Sequence, residues 1–442
     1  MTTASAHKRD IMGFGLALLN RFAGWPLIDR LGLRKASERV VYQATKAGFR
    51  TAGALSRAFK ATQKLAGPAR LAKGAPRELF DLTPTDEQQM MRESVQRFAA
   101  EQLRPAAAKA NEACAAPPEL LAGSLDLGLH LLGVPEALGG AGSERSVMTN
   151  VLVAEAMAQG DMGLAVACLA PLAVSQALVE WGNAEQQSTY LPAFTGETVP
   201  AAALALLEPR PLFDPLLLDT KARAAGDGYV LSGVKSLAPR AHEAELFVIA
   251  AELEGKGPAL FLVESSSAGL SVEAEPSMGL RAASLGRVIL EDVKLPRRAL
   301  LGEASAETYA ECLRLSRLAW CSLAVGTAQA VLDYVIPYVN ERVAFGEPIS
   351  HRQSVAFMVA NIAIELEGMR LATWRAASRA EQGKPYAREV ALARRLCAER
   401  GMQIGNDGVQ LLGGHGFVKE HPVERWYRDL RAVGVMEGGL LV

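Results

Sequence analysis

The spacing of apolar positions along this chain changes character three times. From about Ala36 to Leu65, at about 100° per residue, Val41, Ala44, Gly48, Ala52, Leu55 and Phe59 fall within one arc, with Phe49 at its edge. Lys46, Arg50, Arg57, Lys60 and Lys64 gather on the opposite side. Pro68, Gly74 and Pro76 then mark a linker. Thr83 or Thr85 with Glu87 predicts a helix start ahead of Met90, Met91, Val95 and Phe98. Helical patterning continues to about Tyr190, broken at Gly133-Val134-Pro135 and from Gly139 to Gly142. Between about Val199 and Leu301 the period becomes strand-like, in Gly228–Gly233, Leu246–Ala250, Leu260–Val263 and Ser284–Leu290. Helical spacing resumes near Ala304. Strands confined between two helical blocks predict an α+β chain. The implied domains are a basic extension (1–78), a helical domain (79–195), a strand domain (196–303) and a second helical domain (304–442).

Charge changes the picture at the N-terminus alone. The 442 residues carry a net charge of −1, but residues 1–78 hold 15 Lys or Arg against 4 Asp or Glu, a net of +11. A helix with one apolar and one cationic face suits an anionic membrane surface. Packing against the rest of the chain is the competing reading for this helix. No base-reading motif accompanies the charge, so no nucleic-acid partner is expected. The apolar run Ile11–Leu19 is far shorter than the roughly 20 residues that span a bilayer. Five cysteines without any CxxC spacing predict neither a disulfide framework nor a metal site, and fit a reducing compartment. The expected location is the cytoplasm, peripheral to the inner face of the membrane.

The densest chemistry lies in Gln410–Gly439, QLLGGHGFVKEHPVERWYRDLRAVGVMEGG. Glycine allows close backbone approach, so Gly413, Gly414 and Gly416 around His415 suit a phosphate or a neighbouring chain. Pro422, Glu424, Arg425, Tyr427, Arg428 and Asp429 follow at helical spacing. Glu437 closes the stretch between Val435-Met436 and Gly438-Gly439. Apolar surroundings destabilise the charged form of a carboxylate and strengthen it as a proton acceptor. The plain alternative is a solvated Glu near a chain end.

This run resembles the C-terminal signature of the acyl-CoA dehydrogenases, GGxGxxxxxPxERxYRD followed by a Glu-Gly pair that carries the catalytic base. The resemblance covers about residues 80–442 and implies an N-terminal helical domain, a middle small β-barrel domain and a C-terminal helical bundle. It implies FAD as cofactor, an acyl-CoA as substrate and an electron-transfer flavoprotein as electron acceptor. Glu437 stands at the base, and its N–H would polarise the thioester carbonyl. Some relatives carry the base on an earlier helix ahead of an arginine. The matching positions here are Ser316 and Arg317, so the base stays with Glu437 and Arg317 would orient base or substrate.

Arg342-Val343-Ala344-Phe345-Gly346, then Ile349 and Gln353, resembles the element with which the family reaches the FAD of a neighbouring subunit. Arg342, Phe345, Gln353, Gly413 and Gly414 are therefore expected at cofactor, and a homodimer or homotetramer is implied. The chain departs from the family at the flavin loop TEPxAGSD, here Leu207-Glu208-Pro209-Arg210-Pro211-Leu212-Phe213-Asp214. Leu207 stands at a cofactor position and Phe213 at a substrate position, both without the family's hydroxyls. Ser236-Leu237-Ala238-Pro239 likewise lacks the expected side-chain donors, which leaves main-chain N–H groups as replacements. Gly438 falls at substrate, and Gly439 replaces the usual Thr at cofactor. Bulk at Leu207 and Phe213, with the basic arm, points to long or unusual acyl chains. Two readings stay open: an FAD-dependent acyl-CoA dehydrogenase of the fatty-acid β-oxidation type, and a non-catalytic or half-active subunit that binds acyl-CoA or completes a hetero-oligomer.

Overall fold

The computed structural model of this protein describes residues 67–73, 82–142 and 144–440. The amphipathic helix expected over 36–65, with nearly all of the 1–78 extension, lies outside the described residues.

Thr85 opens the first helix among the described residues, α1 (Asp86–Phe98), as N-cap. Its capping-box partner is Gln88 rather than Glu87, because the reciprocal bond requires the residue three beyond the cap. A π-turn at Ala99–Leu103 carries α1 into α2 (Arg104–Ala113). Then come α3 (Pro118–Asp126), α4 (Leu129–Leu132), α5 (Val147–Gly160), α6 (Met162–Trp181) and α7 (Ala184–Phe194). Helices α5 and α6 are apolar round most of their circumference and bury Val151, Leu152, Met157, Leu164 and Leu178, which makes them core helices.

Two short strands, β1 (Ala72–Lys73) and β2 (Glu144–Arg145), pair in parallel, and eight more form one sheet: β3 (Ala202–Ala205), β4 (Lys221–Ala225), β5 (Gly228–Ala238), β6 (Leu246–Leu253), β7 (Gly257–Glu264), β8 (Leu270–Ala274), β9 (Gly286–Pro296) and β10 (Leu300–Leu301). The ladder runs β10-β7-β6-β4-β5-β9-β8, with β3 parallel to β6. β6 and β7 read as continuous apolar runs because both of their faces are covered. Phe247, Ile249, Phe261 and Val263 fill the sheet's own core, whereas Leu246, Val248, Leu260 and Leu262 join the core shared with the helices.

The C-terminal helices are α8 (Ala306–Glu341), α9 (Gln353–Glu381), α10 (Ala387–Leu411) and α11 (Val423–Leu430), with a small hairpin, Val343–Ala344 against Glu347–Pro348, between α8 and α9. Helix α8 lies directly on α5: a Cβ added at Gly326 would sit 2.0 Å from the Glu155 carbonyl oxygen, so no larger residue allows this approach.

Helix α11 joins the three parts of the molecule. Arg425 pairs with buried Asp161, the N-cap of α6, at 3.0 Å. Asp429 accepts the Leu280 N–H of the strand region at 2.7 Å, and Arg428 donates to the Met278 carbonyl at 2.6 Å. The charges that the sequence sets at helical spacing therefore hold the segment that leads to Glu437.

Candidate active site

Glu437 sits in a backbone conformation that few L-residues adopt. Its φ is +60°, and Gly438 follows at +102°. A left-handed turn at a non-glycine residue costs about 1–2 kcal/mol and persists only where its surroundings hold it. Arg317 of α8 donates from Nε and Nη2 to the Glu437 carbonyl at 3.2 and 2.9 Å. Arg394 of α10 donates to the next carbonyl, that of Gly438. Across the turn, Gly439 N–H donates to the Phe213 carbonyl at 3.0 Å. A side chain at 438 would clash, since its Cβ would lie 2.6 Å from Pro215 Cδ. Burial lowers both arginines, Arg394 to about 10 with Arg317 adding to the effect, and both remain cationic at neutral pH.

The carboxylate itself is buried, at 6% exposure. Oε1 accepts from Ser316 Oγ at 2.8 Å and from Trp320 Nε1 at 3.3 Å. Oε2 is buried with no hydrogen-bond partner. A buried oxygen left without a partner is costly, and it is open to a partner from outside the chain.

Phe213 lies beside this turn, and the side chains of Leu207 and Phe213 pack into the hydrophobic core at 7% and 3% exposure. Glu208, which matches the family's pattern in the flavin loop, has a structural role. Glu208 and Lys235, both buried, pair at 2.8 Å, and Glu208 also accepts the N–H groups of Asp219 and Thr220 at 2.7 and 2.9 Å. This pair ties the loop to β5. Burial pushes the Lys235 ammonium down to about 8 against the pull of Glu208. For Glu208 burial acts upward, but the Lys235 charge and the donated hydrogen bonds outweigh it and hold the carboxyl below its usual range.

Arg342, Phe345, Gln353, Gly413 and Gly414 form a second, exposed group. Tyr338, one turn before Arg342, bonds through its hydroxyl to the Leu412 carbonyl at 3.4 Å and to His415 Nδ1 at 2.9 Å. That fastens the end of α8 to the Gly413 turn. Phe345 is 95% exposed, with the Arg352 guanidinium over its ring. Among the described residues these five make no hydrogen bond to the Glu437 group within one protomer.

For a flavin dinucleotide the fit is uneven. Arg342, Gln353 and the glycine turn present exposed donors, as a diphosphate and an adenine require. Of the main-chain donors expected to replace the lost hydroxyls, two are already engaged. Ser236 N–H donates to the Leu207 carbonyl at 2.9 Å, and Leu237 N–H donates to Glu275 Oε2 at 2.7 Å. The chain thus presents exposed donors for the dinucleotide end of FAD and fewer free ones at Ser236-Leu237.

Sequence reasoning missed Arg394 and Trp320. Nothing distinguishes Arg394 from the other arginines of α10, and Trp320 reads as an ordinary core residue. Ser316 cannot itself act as a base, yet its hydroxyl donates to Glu437.

Comparison with known proteins completes this picture. The family descriptions "Acyl-CoA dehydrogenase, N-terminal domain", "middle domain" and "C-terminal domain" match residues 85–197, 203–293 and 307–439. The short-chain specific acyl-CoA dehydrogenase of Bos taurus mitochondria is 35% identical over 363 residues, 79% of this chain and 86% of that protein. Among solved structures, butyryl-CoA dehydrogenase from Megasphaera elsdenii superposes with a TM-score of 0.76 at 27% identity, covering 82% of this chain and 97% of that one. A chain in the structure of the electron transferring flavoprotein of Acidaminococcus fermentans matches equally, with a TM-score of 0.76 at 27% identity over 82% of this chain and 96% of that one. With all three domain descriptions matched and a relative 35% identical over 79% of its length, this chain belongs to the acyl-CoA dehydrogenase family, whose members are FAD-dependent enzymes.

Proposed function

We propose that this chain oxidises an acyl-CoA thioester between its α and β carbons, with Glu437 as the α-proton base. One observation carries the reading: a buried carboxylate with one oxygen held by two donors and the other unpartnered, on a turn fixed by Arg317 and Arg394. An α C–H is a very weak acid, so its base must be desolvated and aimed, and the thioester carbonyl must be polarised as charge develops. Glu437 supplies the first, and its own N–H, presented by the left-handed turn, supplies the second. Bound FAD supplies the acceptor for the β-hydride. Arg342 and Gln353, with the Gly413-Gly414 turn, hold the diphosphate and adenine end of the FAD of a neighbouring subunit, which makes the enzyme a homodimer or homotetramer. An electron-transfer flavoprotein is the acceptor, a reading favoured by the match to a chain in that protein's structure. The short-chain and butyryl-CoA relatives favour a short acyl group.

The test is the visible spectrum of the purified protein, titrated anaerobically with acyl-CoAs of increasing length. A flavin band that bleaches with one length range supports the proposal. A protein that stays colourless with added FAD supports the second reading, a half-active subunit in a hetero-oligomer. The engaged Ser236 and Leu237 N–H groups favour that reading. The basic arm is proposed to place the enzyme at the inner face of the membrane. Deleting residues 1–78, or raising the salt, should release the protein from anionic liposomes. Unchanged sedimentation with the vesicles would remove the arm from this role.

A further inference from the structure

The two oxygens of Glu437 are not equivalent. Ser316 and Trp320 stand four residues apart on α8, one helical turn, so their side chains project from the same face. Both reach Oε1, the hydroxyl at 2.8 Å and the indole N–H at 3.3 Å. Between them in sequence, Arg317 holds the Glu437 carbonyl. A single turn of helix thus fixes both the backbone and one side-chain oxygen of the base. Oε2 is buried and receives no donor.

We propose that Ser316 and Trp320 are positioning residues that make Oε2 the proton-accepting atom of the reaction. This inference rests on the proposed dehydrogenation and assigns the atom that performs its first step. Donors on Oε1 draw charge to that oxygen and stop rotation about the Cγ–Cδ bond. Oε2 then keeps its lone pairs free and faces one direction. In the step itself the α C–H bond breaks heterolytically and its proton forms an O–H bond at Oε2. The electron pair stays on the substrate as the thioester enolate. A carboxylate free to turn presents its oxygens to the α-carbon only part of the time, and aim of this kind is worth tens-fold in rate.

The experiment uses the full-length holoenzyme and three variants: Ser316→Ala, Ser316→Thr and Trp320→Phe. Thr keeps the hydroxyl, and Phe keeps most of the ring's bulk while removing the N–H. Two readouts are taken. One is the rate of flavin reduction at saturating acyl-CoA, with the KM. The other is exchange of the substrate's α-protons in D2O followed by NMR, which needs the base but no net hydride transfer. Ser316→Ala and Trp320→Phe should each slow both processes about 10-fold, the effect of one lost hydrogen bond, with KM little changed. Ser316→Thr should restore most of the serine's contribution. Two outcomes overturn the assignment alone: wild-type rates in both Ser316→Ala and Trp320→Phe, or a Ser316→Thr variant as slow as Ser316→Ala. A wild-type protein that neither exchanges α-protons nor bleaches its flavin overturns the dehydrogenase reading, and this assignment falls with it.

Discussion

Glu437→Gln lowers the rate of flavin reduction by acyl-CoA by at least about 10³-fold, within the range by which a positioned general base speeds proton transfer. The substitution is close to isosteric. The amide oxygen still accepts from Ser316 and Trp320, and the Glu437 carbonyl held by Arg317 is untouched. The left-handed turn therefore persists, and acyl-CoA and flavin should bind nearly as in the wild-type protein. Stopped-flow reduction with a parallel binding titration separates the two effects. Reduction at a tenth of the wild-type rate or faster would remove Glu437 from the role of base. A uniform loss of binding would instead show that its carboxylate serves the fold of the turn.

The structure explains why part of this site could be seen in the sequence and part could not. Strands β6 and β7 were legible because both of their faces are buried, which writes an uninterrupted apolar run. β3 (AALA), β4 (KARAA) and β8 (LSVEA) were not singled out: short, and poor in β-branched or aromatic residues, they are strands because of what they pair with. Glu437 was legible because it ends a long fixed pattern. The groups that equip it come from helices α8 and α10 and touch it only in three dimensions. Trp320 and Arg394 carry no local mark of that contact, and an arginine on a helix is ordinarily solvated. The altered loops gave the opposite lesson. Their lost hydroxyls were plain in the sequence, but whether main-chain donors stand free depends on Glu275 and on the Leu207 carbonyl, which only the fold brings alongside.

Arg425→Ala should destabilise the protein by about 3–5 kcal/mol, the usual effect of removing one partner from a buried ion pair. The cation lies at 3.0 Å from Asp161, and its charge also reaches Asp429; all three are buried. Without it two carboxyls would share an apolar site at the junction of α6, α11 and the strand region. Burial strains both carboxyls already. Burial raises Asp161, and burial with the charge of Asp161 raises Asp429 to about 7 despite the Leu280 N–H and the attraction of Arg428 and Arg425. In the folded state Asp429 therefore keeps its proton up to about pH 7, whereas in the unfolded chain it ionises near 3.8. The folded state binds more protons between these values, so this group's contribution to stability is complete below 3.8 and is lost as the pH rises through about 7. Asn at 429 does not titrate, and its amide oxygen can still accept from Leu280 N–H. Asp429→Asn should thus gain melting temperature relative to the wild-type protein as the pH goes from 5 to 8, by about 2 °C or more. In the Arg425→Ala background it should recover part of the loss, because Asp161 then faces an amide instead of a second ionisable carboxyl. A wild-type-to-Asn difference that is flat from pH 5 to 8 would mean that Asp429 is ionised throughout and that Arg425 neutralises both carboxylates. The same variants test how the signature serves the chemistry. Glu437 lies eight residues beyond Asp429, so loosening α11 should slow flavin reduction even where the protein stays folded.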